Sequence, residues 1–117
     1  MKFTSGQRLA AEFIGTAGIV AVVLGASHMA SALKSDPVMG LTINALATAG
    51  VLFVLISLFA SVSGSHFNPV VTFVLYLRSE IHAALAAGYI AAQVLGAILG
   101  AVLANLMFGK DAIAKSL

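Results

Sequence analysis

The feature that most constrains this chain is a polar break inside apolar sequence, Ser63-Gly64-Ser65-His66-Phe67-Asn68-Pro69-Val70-Val71-Thr72-Phe73. Ser63, Gly64 and Ser65 combine backbone freedom with side chains that hydrogen-bond locally, which favours an irregular loop over a helix. Asn68 is a good helix N-cap, and Pro69 follows at the first helical position, where its missing N–H costs nothing. The apolar run over 70–77 is only about two helical turns long, against the roughly 20 residues that a bilayer-crossing helix needs. A short helix fed by a polar loop at membrane depth is predicted to be re-entrant. Irregular backbone is tolerated there only where protein buries it or a water-filled cavity touches it. The stretch therefore predicts a polar pathway.

Membrane depth follows from composition. Hydrophobic residues make up 61% of the 117 and charged residues 9%, with a mean hydropathy of +1.08. A soluble domain carries about 25% charged residues, so the chain is predicted to be an integral membrane protein. The absence of cysteine excludes disulfides, thiolate metal sites and cysteine nucleophiles. A formal charge of +2 is too small to suggest a nucleic-acid partner. Lys2 and Arg8 precede an apolar run too long for a signal-peptide core, with no clear cleavage site after it.

In chain order, a polar leader precedes a first span over about 9–33, punctuated by Glu12, Gly15, Gly18, Gly25 and His28. Pro37 then forbids continuation of that helix. A second span covers about 38–62 and the re-entrant unit about 63–77. The polar turn Arg78-Ser79-Glu80 leads into a third span over about 81–108, and the tail from Gly109 onward is polar and expected to fray. The fold class is thus all-α, with three transmembrane helices and one re-entrant half-helix in a single 1–117 domain. His28 and His82, near span ends, are expected at the membrane interface.

In the third span, Gly88, Ala92, Gly96, Gly100 and Ala104 recur every four residues and form a small-residue stripe. Such stripes let helix backbones approach closely in lipid. The spacing alone leaves open whether the partner helix lies in the same chain or in another. Three spans also divide the basic residues evenly, with Lys2, Arg8 and Arg78 on one side and Lys34, Lys110 and Lys115 on the other. Orientation normally follows an excess of Lys and Arg on the cytoplasmic side. An even split leaves insertion in both orientations open.

Three motifs, in order and in matching topological places, give the chain a family resemblance. Ala11-Glu12-Phe13-Ile14-Gly15-Thr16 resembles an AEFxGT pattern, residues 63–73 resemble SGxHxNPAVT, and Tyr89-Ile90-Ala91-Ala92-Gln93-Val94-Leu95-Gly96-Ala97 resembles YxxAQxxGA. Together they resemble the first half of an aquaporin or aquaglyceroporin, of the major intrinsic protein family. Members of that family carry two inverted halves, each with an Asn-Pro-Ala loop; only one is present here.

The resemblance implies pore-lining and selectivity roles for Gly64, Ser65, His66, Phe67, Asn68, Pro69, Val70 and Val71, with Thr48 and Ile56 at further filter positions. It implies that Glu12 supports the re-entrant loop, and Gln93 is expected to bond across helices in its own half. Asn68 reads alternatively as a cap alone, and Glu12 as a proton relay, because ionisable groups at membrane depth are functional suspects. His66 is expected to orient the loop. Metal binding is not expected, since no second ligand lies near it. Val70 stands where the family has alanine, and Val71 where the family's second loop has a filter arginine. The implied constriction is uncharged, which would leave cation exclusion to the helix N-termini, each about half a positive charge.

The resulting expectation is a passive channel for water and small neutral solutes such as glycerol, with no enzymatic chemistry and no cofactor. A second, inverted copy of the chain would complete the pore. Such inverted repeats are a recurring transporter plan, with sites near the midplane. Four such dimers would make the family's tetramer of pores, in the lipid bilayer of a prokaryotic inner membrane. Two alternatives are a small dual-topology proton-coupled exporter using Glu12, and a non-conducting or heteromeric channel subunit. Three spans rather than four, and an Asn-Pro unit without a place there, weigh against the exporter.

Overall fold

The computed structural model describes residues 2–113 as four helices, α1 (Ser5–Ala32), α2 (Pro37–Ser63), α3 (Pro69–Leu77) and α4 (Ala83–Met107). Lys115 and the last residues of the tail lie outside the described residues. α1, α2 and α4 are each long and apolar enough to cross a membrane. α3, of nine residues, is not. The architecture is three spanning helices plus one half-helix.

Each helix starts on a polar cap. α1 begins in the polar leader, ahead of the apolar pattern. There Thr4 and Gln7 form a capping box, with the Gln7 N–H donating to Thr4 Oγ1 at 3.2 Å and the Thr4 N–H to Gln7 Oε1 at 2.9 Å. Asp36 caps α2, accepting from the Met39 N–H at 2.9 Å, with Pro37 in the first turn. His82 caps α4 through Nδ1, which accepts from the Leu85 N–H at 3.3 Å. α4 therefore starts two residues inside the apolar run.

α1 is the central helix, packed against both α2 and α4. The hydrogen-bonded pairs Arg8–Tyr89 and Glu12–Gln93 are each separated by 81 residues. A constant offset means that α1 and α4 run parallel. α2 runs antiparallel to α1, with Asn44 Nδ2 donating to the Val23 carbonyl at 3.0 Å and to Ser27 Oγ at 2.9 Å. The small-residue stripe makes the parallel contact. A Cβ on Gly96 would strike the Phe13 carbonyl, and one on Gly100 the Ala17 carbonyl, so the backbones touch there as such stripes permit. Gly96, Gly100 and Ala104 are buried, while Gly88 and Ala92 lie at the edge of the contact.

α3 packs on α4 and on neither of the other helices. Ile81, Leu85, Ala86 and Tyr89 form a small core beneath it, joined by Leu9 and Leu75. Much of α2 remains exposed, including Phe53, Ile56 and Leu58. In a membrane protein that surface suits lipid or another chain.

His28 lies near the end of α1, beside Lys110, and is buried there, with Nε2 2.9 Å from Asn105 Oδ1. Asn105 Nδ2 in turn donates to the Ala112 carbonyl at 3.1 Å. The two polar side chains face each other across the parallel helices and pair where both are buried.

Candidate functional site

The site is the loop between α2 and α3 together with its support. α2 ends in Gly64 with φ +89°, and Ser65 and Phe67 follow with φ of +52° and +49°. Left-handed conformations of residues other than glycine cost of order 1–3 kcal/mol each and persist only where surroundings enforce them. The enforcing group is Glu12. Its Oε1 accepts from Ser63 Oγ at 2.6 Å and from the His66 N–H at 3.0 Å. Its Oε2 accepts from the Phe67 N–H at 2.7 Å and from Gln93 Nε2 at 2.8 Å. Glu12 has no exposed surface. All four partners donate, so the carboxyl group serves only as acceptor.

The support extends one turn along each helix. Gln93 Nε2 also donates to Thr72 Oγ1 at 3.0 Å, and His66 Nδ1 lies 2.9 Å from the same oxygen. The Thr72 hydroxyl, already accepting from Gln93, is free to donate to His66 Nδ1. That assignment makes Nε2, beside Gly64, the protonated nitrogen of His66. The buried Tyr89 hydroxyl donates to the Ser63 carbonyl at 2.6 Å and accepts from Arg8 Nε at 3.0 Å. The Phe67 ring fills a notch on α1 that exists because residue 15 is glycine; a Cβ there would overlap the ring. Phe67 thus contributes a packing side chain to the site, facing α1.

Loop polarity follows from these anchors. The peptide bonds are trans, so each carbonyl points opposite to the N–H that follows it. With the N–H groups of His66 and Phe67 aimed at Glu12, the carbonyls of Ser65 and His66 point to the open side. Neither accepts a backbone hydrogen bond among the described residues. Next comes Asn68, exposed at the start of α3. Its Oδ1 accepts from the Val70 N–H at 2.8 Å, so the amide Nδ2 projects as a donor. Pro69 sets the first turn, and Val70 and Val71 follow, 67% and 41% exposed. The open side thus presents two acceptors and then a donor, flanked by valine.

Thr48 and Ile56 stand apart from this cluster. Thr48 Oγ1 donates to Asn44 Oδ1 at 3.2 Å, beside the α1–α2 seam, whereas Ile56 lies on the exposed face of α2. A cavity of about 330 Å³ opens beside the loop, lined by Ser63, Gly64, His66, Leu75, Arg8 and Glu80 among others. Among the described residues, no cluster of His, Cys, Asp or Glu could hold a metal ion.

A family model described as Major intrinsic protein matches residues 1–116. The chain belongs to that family. Among curated relatives, the major intrinsic protein from Rhizobium meliloti (strain 1021) named Aquaglyceroporin AqpS is 42% identical over 107 residues, covering 92% of this chain and 46% of the relative. Aquaporin PIP2-5 of Zea mays is 38% identical over 109 residues, covering 83% of this chain and 37% of its own length. Aquaporin PIP2-7 of Arabidopsis thaliana is 43% identical over 96 residues, at 79% and 33%. The chain spans less than half the length of these family members.

Arg8, Thr72 and Tyr89 carry the site alongside the residues singled out from sequence. A signal for two of them was present. Arg8 and Glu12 are four residues apart on α1, Tyr89 and Gln93 four apart on α4, and such pairs share a helix face. What the spacing lacks is that the two faces meet.

Proposed function

We propose that the chain is half of a passive pore for water and small neutral hydroxylated solutes such as glycerol, completed by a second copy inserted in the opposite orientation. The observation that carries this reading is the sequence of unpaired groups on the open side of the loop: carbonyls of Ser65 and His66, then the Asn68 amide. A water or hydroxyl group both donates and accepts, so it can pass from the carbonyls to the amide without losing hydrogen bonds. An ion cannot: the acceptors suit a cation, whereas Asn68 Nδ2 and the positive end of α3 oppose it.

The inverted partner is motivated by what one chain leaves bare. Val70, Val71 and Asn68 are exposed at the tip of α3, and such a tip is stable at membrane depth only against protein or water. An antiparallel copy would bring two tips together near the midplane, in the manner of inverted-repeat transporters. Valine at residue 71 of both copies would leave the constriction apolar. Four such dimers would form a tetramer of pores. Within this reading the chain is one half-pore domain, and its setting is a cell membrane.

The exporter reading fits less well. It asks Glu12 to release and rebind protons, yet the carboxyl group is sealed from solvent by four donors. Osmotic swelling of proteoliposomes separates the readings. Water and glycerol flux independent of a pH gradient is expected. Flux that follows the proton gradient would instead establish the exporter, and absence of flux would leave the chain a subunit of a heteromeric channel.

A further inference from the structure

Val71 supplies no fixed cation, but the wall of the cavity beside the loop carries one, Arg8. Arg8 lines the 330 Å³ cavity together with Ser63, Gly64 and His66, and also a neighbouring cavity of about 520 Å³. Its position is fixed by directional bonds. Tyr89 has one hydroxyl proton, donated to the Ser63 carbonyl at 2.6 Å. The same oxygen accepts from Arg8 Nε at 3.0 Å, and the guanidinium carbon sits 5.5 Å from the ring centroid. A guanidinium offers five donors, and the bond to Tyr89 uses one, leaving the two terminal NH₂ groups without a protein partner among the described residues, on a side chain that lines both cavities. The charge is thereby tied to the last carbonyl of α2, where the loop begins.

We propose that Arg8 is a charge-selectivity residue, holding at the mouth of the conduit the positive charge that its constriction lacks. The proposal rests on the pore reading above. Nearby charges leave the mouth positive. Glu80, which lines both cavities, is engaged by Arg78 at 2.7 Å. Glu12 is enclosed by its donors, Lys2 lies at the same end of the molecule, and His82 lines the larger cavity. A mouth of one sign, walled by low-dielectric protein and lipid, repels like-charged solutes while leaving neutral ones unaffected. A dimer of inverted copies would carry one Arg8 at each end, so exclusion would act on cations approaching from either side.

Three variants of the full chain in proteoliposomes test this, each read as the ratio of sodium to water permeability in the same vesicles. Arg8→Gln is expected to raise that ratio about tenfold. Arg8→Lys is expected to leave it near wild type, because the charge remains although the Nε bond to Tyr89 is gone. Ser5→Glu, at the rim of the larger cavity, should raise the ratio in the same direction with the Arg8–Tyr89 bond untouched. A merely structural Arg8 would make Arg8→Lys and Arg8→Gln behave alike and Ser5→Glu silent, which would overturn the assignment. So would unchanged ratios in Arg8→Gln and Ser5→Glu while water flux persists. No water flux in wild-type vesicles is a separate result: it sinks the pore reading, and the role of Arg8 with it.

Discussion

At the scale of single residues, Glu12 decides the most. Two left-handed non-glycine residues, a buried serine and a glutamine from another helix are all arranged around its two oxygens. Glu12→Gln replaces one oxygen with a donor, and the surroundings can adapt in part. The Oε1 of Gln93 is buried without a partner, so a rotated Gln93 amide could accept from the new NH₂, at the cost of the Phe67 N–H acceptor and of the Gln93 Nε2 bond to Thr72 Oγ1. Glu12→Leu removes every acceptor at once. Each buried donor left unpaired costs about 1–3 kcal/mol. We expect Glu12→Gln to accumulate at a reduced level and conduct, and Glu12→Leu to yield little folded protein, as read by size-exclusion profiles and normalised flux. Equal loss of flux in both variants with folding intact would argue for a proton-carrying carboxylate. The sequence alone makes the conformation of this site partly legible. Asn68 and Pro69 announce a helix start through their own backbone chemistry, whereas the partners of Tyr89 and Arg8 depend on which helix faces which.

At the scale of elements, the same limit governs the stripe on α4. Its period shows that some helix comes close, but an intramolecular and an intermolecular neighbour produce identical spacing. The structure identifies α1, and the glycines differ in what they permit. Gly96 and Gly100 face main-chain carbonyls that cannot yield, Gly88 faces only the flexible end of Leu9, and Gly50 on α2 faces open space. Overpacking a close contact costs typically about 1–3 kcal/mol. Gly96→Ala and Gly100→Ala should therefore lower the temperature at which the detergent-solubilised protein loses its monodisperse peak, with Gly88→Ala much milder and Gly50→Ala neutral. A uniform response across the four would mean that α1 and α4 do not meet through backbone contact. Helix ends were less legible than helix identity: α1 extends into its polar leader because Thr4 and Gln7 cap one another, a side-chain event that hydropathy does not register.

At the scale of the whole molecule, one end gathers Arg8 with Ser79, Glu80 and His82, and the other gathers His28 with Lys110. The three-against-three division of Lys and Arg follows this partition, with Lys115 counted from sequence. We expect end-labelling in intact cells to find each terminus on both membrane faces, and two added lysines in the tail to fix one orientation and abolish flux. Co-expression with an oppositely biased variant should restore it. Termini confined to single faces in an active wild type would rule out the inverted homodimer. The shared anchor also has a consequence for biogenesis. Glu12 emerges from the ribosome early, Ser63 and the loop midway, and Gln93 only with the final span, so its carboxyl group is made before any of its four donors. The hairpin that must fold back into the bilayer likewise lacks its complete clamp until α4 arrives. Three of the four donors to Glu12, from Ser63, His66 and Phe67, are made before α4, and Gln93 only with it. A ribosome paused before α4 would hold a chain in which Glu12 can take three of its four donors while the Gln93 and Tyr89 contacts that complete the clamp are still missing.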